Sequence, residues 1–265
     1  MLPMKNILVP VVPSRRCAWA ARYAESLSKI FQAQLILLSV GQEDSAATIE
    51  DFATKETGVN AHQIIVAEGD PAERIIEFAG KYQADLIVMP TYRVRFRPFL
   101  LGSVTAKVLH DVERPVLTGV HHDTYPLNPP DRFQNAVCAL DTSPGCVPLL
   151  RWARSLTQAL HMRLSLVHAL PAVDETSDNR GEIAVRKYLL QQAEEEFAKF
   201  FRNEAEGVSV SLRGGEIATV VREEALATHA DLVIVGRGHI DRTLGRLRTH
   251  VYSIIRSSPC PVISV

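Results

Sequence analysis

The 265 residues carry 29 Lys and Arg against 30 Asp and Glu, a formal net charge of −1, with 46% hydrophobic and 22% charged residues. That balance supports a buried core and excludes a disordered chain, and it gives no bulk field for nucleic acid or an anionic membrane. No apolar run nears the roughly 18 residues of a membrane span. The four cysteines, Cys17, Cys138, Cys146 and Cys260, form no CxxC pair. The opening MLPMKNILVPVV has no signal-peptide layout, so free thiols in a cytoplasmic setting are expected, and no metal.

Residues 5–12 are a short run rich in Val and Ile, expected as a buried strand. Ser14 is placed to cap a helix over about 16–32, with Ala20, Tyr23, Ala24, Leu27 and Phe31 on one face. Strands follow at Leu35 to Val40 and Ile64 to Ala67. Pro71 opens a helix that runs to about Tyr82. Leu86 to Met89 is a fourth strand, 101–112 a helix, and Pro115 to Val120 a fifth strand. His121 to Pro130, with three prolines, reads as a linker.

From residue 135 the pattern starts again. Ile7 to Ser14 resembles Ala136 to Ser143, so 129 residues separate Val12 from Asp141. Ala84 to Met89 matches Ala230 to Val235, with 146 residues between Asp85 and Asp231. The second copy therefore holds 17 extra residues, which lengthen a helix near 183–206 whose apolar face runs through Val185, Leu189, Phe197 and Phe201. That helix is a candidate interaction surface or simply a longer covering helix. The division is 1–120, a linker over 121–134, and 135–265. Alternating strands and helices make each copy an α/β unit with a mainly parallel sheet covered on both faces.

Ligands of such sheets bind at the carboxyl ends of the strands, where the strand order reverses. There the second copy has Asp141-Thr142-Ser143 after its first strand and His168 at the end of its second. Asp141 either caps the next helix or accepts hydrogen bonds from a ribose hydroxyl or an adenine amine. His168 lines a pocket or packs. After the fourth strand, Gly236 and Gly238 allow backbone N–H groups close to a phosphate. Thr249 adds a hydroxyl near a helix N-terminus, and Arg237, Arg242, Arg246 and Arg248 suit phosphate oxygens or a solvated loop. The first copy has Val12 where the second has Asp141, and Pro90 and Tyr92 where the glycines stand. It keeps a phosphate turn only at Gly102-Ser103. Its Arg93, Arg95 and Arg97 make a basic loop. No catalytic constellation stands out: there is no nucleophile elbow and no Walker A sequence. The adjacent His121 and His122 are weak metal evidence.

These residues resemble a tandem universal stress protein over nearly the whole chain. The likeness is carried by Asn6 to Val11, Ala84 to Met89, Gly102 to Leu109 and Ser258 to Val265. It implies two Rossmann-like units of the adenine nucleotide α-hydrolase type, each with a five-stranded sheet, paired across their last strands as a pseudo-dimer. It also implies an ATP motif, G-x2-G-x9-G-[ST], with an aspartate after the first strand. Carried over, the aspartate is Asp141. The glycines are Gly236 and, with a loop one residue shorter, Gly238. The last pair is Gly102-Ser103 in the first copy and Arg248-Thr249 in the second. Neither copy is intact. ATP or another adenine nucleotide is expected in the second unit through Asp141, Thr142, His168, Gly236, Gly238, Arg248 and Thr249. The first unit retains only Gly102 and Ser103. Three functions stay open: a non-catalytic stress-response module that binds nucleotide, a scaffold acting through unknown protein partners, and a slow ATPase or adenylate hydrolase. Assembly into a homodimer stays open too.

Overall fold

The computed structural model describes residues 4–41, 45–91, 102–120, 128–171, 180–201, 204–237 and 247–265. The chain divides into two compact units, Pro3–Asp131 and Arg132–Ile263.

In the N-terminal unit, β1 (Asn6–Pro10), β2 (Gln34–Val40), β3 (Gln63–Ala67), β4 (Leu86–Met89) and β5 (Val116–Thr118) lie in the order β3-β2-β1-β4-β5. The pairs β1–β2, β1–β4, β2–β3 and β4–β5 are all parallel. Ile7, Leu8, Val9, Leu86, Ile87 and Val88 are fully buried. Both faces of these strands are therefore covered, which is why they read as continuous apolar runs. Helix α1 (Arg15–Phe31) follows Ser14, whose hydroxyl accepts the Cys17 N–H at 3.3 Å. Its expected face is buried at Ala20, Tyr23, Ala24 and Leu27, while Phe31 in the last turn is half-buried.

The sequence reading passed over α2 (Ala46–Asp51), which widens into a π-helix (Phe52–Thr57) and stops at Gly58. Only Ile49, Phe52, Ala53 and Thr57 face inward along it, too short a stripe to stand out by periodicity. Then come α3 (Pro71–Lys81) and α4 (Ser103–Asp111).

The C-terminal unit repeats this order. It contains β6 (Asn135–Ala139), a 3-10 turn (Pro144–Cys146), α5 (Val147–Ala159), β7 (Arg163–Leu170), α6 (Arg180–Phe201) and β8 (Ser209–Gly214). It closes with α7 (Ile217–Ala227), β9 (Leu232–Val235), α8 (Leu247–Ser257) and β10 (Val262–Ser264). Its strand order is β8-β7-β6-β9-β10. Helix α6 has 22 residues where the first unit has the short α2 and its π extension. Burial along it begins at Ala193 and continues through Phe197 and Phe201. Leu189 is half-buried and Val185 is 56% exposed, so the apolar face covers only the second half of the helix.

Two devices recur at the 146-residue spacing. Asp85 and Asp231 each staple the start of the first strand to that of the fourth. Asp85 Oδ2 accepts Lys5 N–H at 2.7 Å and Asn6 N–H at 3.0 Å. Asp231 Oδ2 accepts Gln134 N–H at 2.6 Å and Asn135 N–H at 3.0 Å. After the third strand, Gly69 (φ 122°) and Gly215 (φ 125°) turn the chain in a region L-residues avoid. Each is followed by an acidic N-cap: Asp70 accepts Glu73 N–H at 2.9 Å, and Glu216 accepts Thr219 N–H at 2.8 Å.

Candidate functional site

In the C-terminal unit, Ala139 of β6 is in register with Val235 of β9 on one side and Val167 of β7 on the other. β6 and β9 thus end level, whereas β7 runs on to Leu170 alongside β8, so His168 lies within its strand and not at the end expected for it. Asp141 lies two residues past Ala139, Gly236 one past Val235, and His168 next after Val167. Three residues that sequence reasoning grouped by strand position are brought to one edge, at the point where the strand order reverses.

Asp141 is not the cap of α5. A 3-10 turn intervenes, and the N-cap position of α5 belongs to Cys146, whose side chain makes no cap bond. Instead Asp141 Oδ1 accepts the Ser143 N–H at 2.8 Å and the Cys146 thiol at 3.2 Å. Burial by itself raises the Asp141 pKa. Hydrogen bonds from Ser143 and Cys146, with the nearby His168, outweigh burial and hold the carboxyl below its ordinary value. Burial, aided by the Asp141 charge, pushes the Cys146 thiol up to about 11. At neutral pH the site therefore holds a carboxylate beside a protonated thiol.

His168 Nδ1 lies 3.0 Å from Leu140 O. A carbonyl only accepts, so Nδ1 carries the hydrogen, and in the neutral ring Nε2 is left as an acceptor. Thr142 Oγ1 donates to Glu196 Oε2 of α6 at 3.0 Å. Sequence reasoning missed both Cys146 and Glu196. The first had a signal, because Cys17 and Cys146 stand 129 residues apart like Val12 and Asp141. The second had none: Glu196 is 54 residues from Thr142.

Gly236 is half-buried, and the next residue is anchored by its Arg237 N–H to Val265 O at 2.8 Å. Gly238, Arg242 and Arg246 lie outside the described residues, as do Tyr92, Arg93, Arg95 and Arg97 of the first unit and His121 and His122 of the linker. Arg248 and Thr249 sit in the first turn of α8, where backbone N–H groups lack intrahelical partners.

The equivalent edge of the N-terminal unit is built differently. Val12 is 41% exposed, and its N–H donates to Cys17 Sγ at 3.4 Å. Beyond β4, Pro90 O lies 3.5 Å from Thr105 Oγ1, and the buried Thr91 hydroxyl donates to Gly119 O at 3.1 Å. Arg16 Nη1 donates to Thr91 O at 2.9 Å. Those groups are engaged with the protein's own backbone. Gly102 is the N-cap residue of α4 and Ser103 its first residue, and no side chain caps that helix start. Among the described residues no group of three or more His, Cys, Asp or Glu is placed to hold a metal ion. No described helix is long and apolar enough to cross a membrane.

The model of the universal stress protein family matches residues 41–118 and 132–265. A universal stress protein of Methanocaldococcus jannaschii is 32% identical over 139 residues, covering 43% of this chain and 80% of its own length. A protein of unknown function from Pseudomonas aeruginosa has the same fold, with a TM-score of 0.74 at 16% identity over 99% of this chain and 92% of its own. A universal stress protein of Archaeoglobus fulgidus aligns at a TM-score of 0.63 and 21% identity, covering 98% of this chain and 95% of its own.

Proposed function

Because the chain belongs to the universal stress protein family, we propose that it is a non-catalytic stress-response module that binds an adenine nucleotide, ATP or a relative, in its C-terminal unit. One observation carries the reading: the ionised Asp141 carboxylate at the carboxyl end of β6, level with Gly236 and His168. A carboxylate fixed by hydrogen bonds and facing a strand-order reversal suits a ribose diol. Gly238, Arg248 and Thr249 would take the phosphates, with residues 121–134 as the linker between units. The N-terminal unit would not bind nucleotide, since Val12 accepts no hydrogen bond and Pro90 and Thr91 serve the fold.

The test is the small-molecule content of freshly purified protein, read by mass spectrometry after denaturation, together with melting under millimolar ATP, ADP and AMP. The reading expects about one adenine nucleotide per chain or a rise in melting temperature, lost in Asp141→Ala and kept in Val12→Ala. No nucleotide and no melting shift refute it. The self-engaged edge of the N-terminal unit favours a second reading, a scaffold acting through protein partners, which that negative result would select. Steady phosphate release abolished by Asp141→Ala would instead indicate a slow hydrolase.

A further inference from the structure

We propose that Cys146 is a positioning residue of the C-terminal unit's nucleotide site, its thiol holding the Asp141 carboxylate in place for a ribose hydroxyl; this rests on the nucleotide reading above. The geometry is local and closed. Pro144 opens the 3-10 turn and fixes its backbone, and the Cys146 N–H donates to Ser143 O at 3.1 Å. That turn carries the thiol to 3.2 Å from Asp141 Oδ1, on the same oxygen that accepts the Ser143 N–H at 2.8 Å. Two donors on one oxygen fix the carboxylate against rotation. An ionised carboxylate has about four acceptor sites, so capacity remains for a ligand hydroxyl.

The thiol acts as a donor only while it keeps its hydrogen, and burial keeps it protonated at neutral pH. The first unit supplies an internal comparison. Cys17 occupies the same place in the repeat, yet its Sγ accepts a hydrogen bond from Val12 N–H at 3.4 Å. At the first copy's valine the sulfur takes a backbone N–H, and at the second copy's aspartate the sulfur donates to the carboxylate. Titratable groups around this pair include His168 on β7, the buried Cys138 of β6 beside Cys146 and, through Thr142, Glu196 on α6.

The test uses the full chain with Cys146→Ala and Cys146→Val, which remove the donor (Val keeps volume), Cys146→Ser, which restores one, and Cys17→Ala as a control. First, the Asp141 carboxyl is titrated by ¹³C NMR without nucleotide. Its midpoint should rise in the Ala and Val variants, return toward wild type in Cys146→Ser and stay put in Cys17→Ala. Second, AMP affinity is measured at pH 7 by calorimetry. It should fall about three- to tenfold in Cys146→Ala and Cys146→Val and recover in Cys146→Ser. An unmoved Asp141 midpoint, or unchanged AMP affinity in both donor-less variants, overturns the proposal. A wild-type protein that binds no AMP, ADP or ATP refutes the nucleotide reading itself and, with it, this role for Cys146, even where the midpoint moves. A variant that loses only melting temperature, with midpoint and affinity intact, marks Cys146 as structural and likewise overturns the proposal.

Discussion

Replacing Asp85 with alanine removes the acceptor of two backbone N–H groups, Lys5 at 2.7 Å and Asn6 at 3.0 Å. Both bonds run from neutral donors to a carboxylate, a class with net contributions of about 1.5–3 kcal/mol each when shielded from water. Here the Lys5 bond is exposed and the Asn6 bond part-buried, so water recovers much of the loss. The Asn6 side chain also keeps its own bond to Tyr82 O at 3.0 Å. Asp85→Ala should therefore cost about 1–2 kcal/mol, and Asp85→Asn, which keeps a neutral acceptor, about half that. For a unit of this size the alanine loss lowers the melting temperature by roughly 4–8 °C.

The sequence holds two tryptophans, Trp19 and Trp152. In a Trp152→Phe background, emission reports the N-terminal unit through the buried Trp19. In a Trp19→Phe background it reports the C-terminal unit, where Asp231→Ala should cost a similar amount by losing the Gln134 and Asn135 bonds. Urea midpoints in the two backgrounds give the comparison. A loss under about 0.5 kcal/mol for both aspartates, or alanine and asparagine variants that behave alike, would refute the staple as the reason the repeat carries these residues.

Phe201→Ala should cost about 3–5 kcal/mol, because the ring is fully buried and packs on Phe197 at 4.9 Å; urea unfolding in the Trp19→Phe background measures it. A Cβ at Gly119 would meet the Trp19 ring at 2.9 Å, so Gly119→Ala should lose about 1–3 kcal/mol and shift Trp19 emission in the folded protein. Cys260, pushed up to about 12 by burial, and Cys146, up to about 11, should resist iodoacetamide at pH 8 in the native chain and react after denaturation, as peptide mapping would show. Asp141 has a lowered folded pKa. Its contribution to stability is present above the unfolded carboxylate value and is lost as pH falls through the lowered one, so AMP affinity should not vary with Asp141 ionisation between pH 5.5 and 8.

Much of the fold was legible because burial imposes periods on sequence. The strand at Leu86–Met89 was placed to the residue by a fully apolar run, and Ser14 marked the start of α1 by the chemistry of capping. Two copies of one pattern doubled each signal, so Asp85 and Asp231 were visible as a repeat before their bonds to the strand starts were known. The short α2 and its π extension were not visible, having too few buried positions to make a stripe. Val185 was assigned to a buried face by period alone, yet α6 finds cover only from Ala193 onward.

By itself the sequence determined two α/β units, the strand ends at the reversal of strand order, and an aspartate after the first strand of the second unit where the first has valine. Those features are local in the chain, set by which residues alternate and which follow a strand. Only the tertiary structure decided what the Asp141 carboxylate does. The turn through Pro144 swings the Cys146 thiol back onto it, and Glu196, brought over by a helix 54 residues away, takes the Thr142 hydroxyl. Hydrogen bonds reach about 3 Å through space whatever the chain distance, and the 54 residues between Thr142 and Glu196 leave no spacing that records that reach.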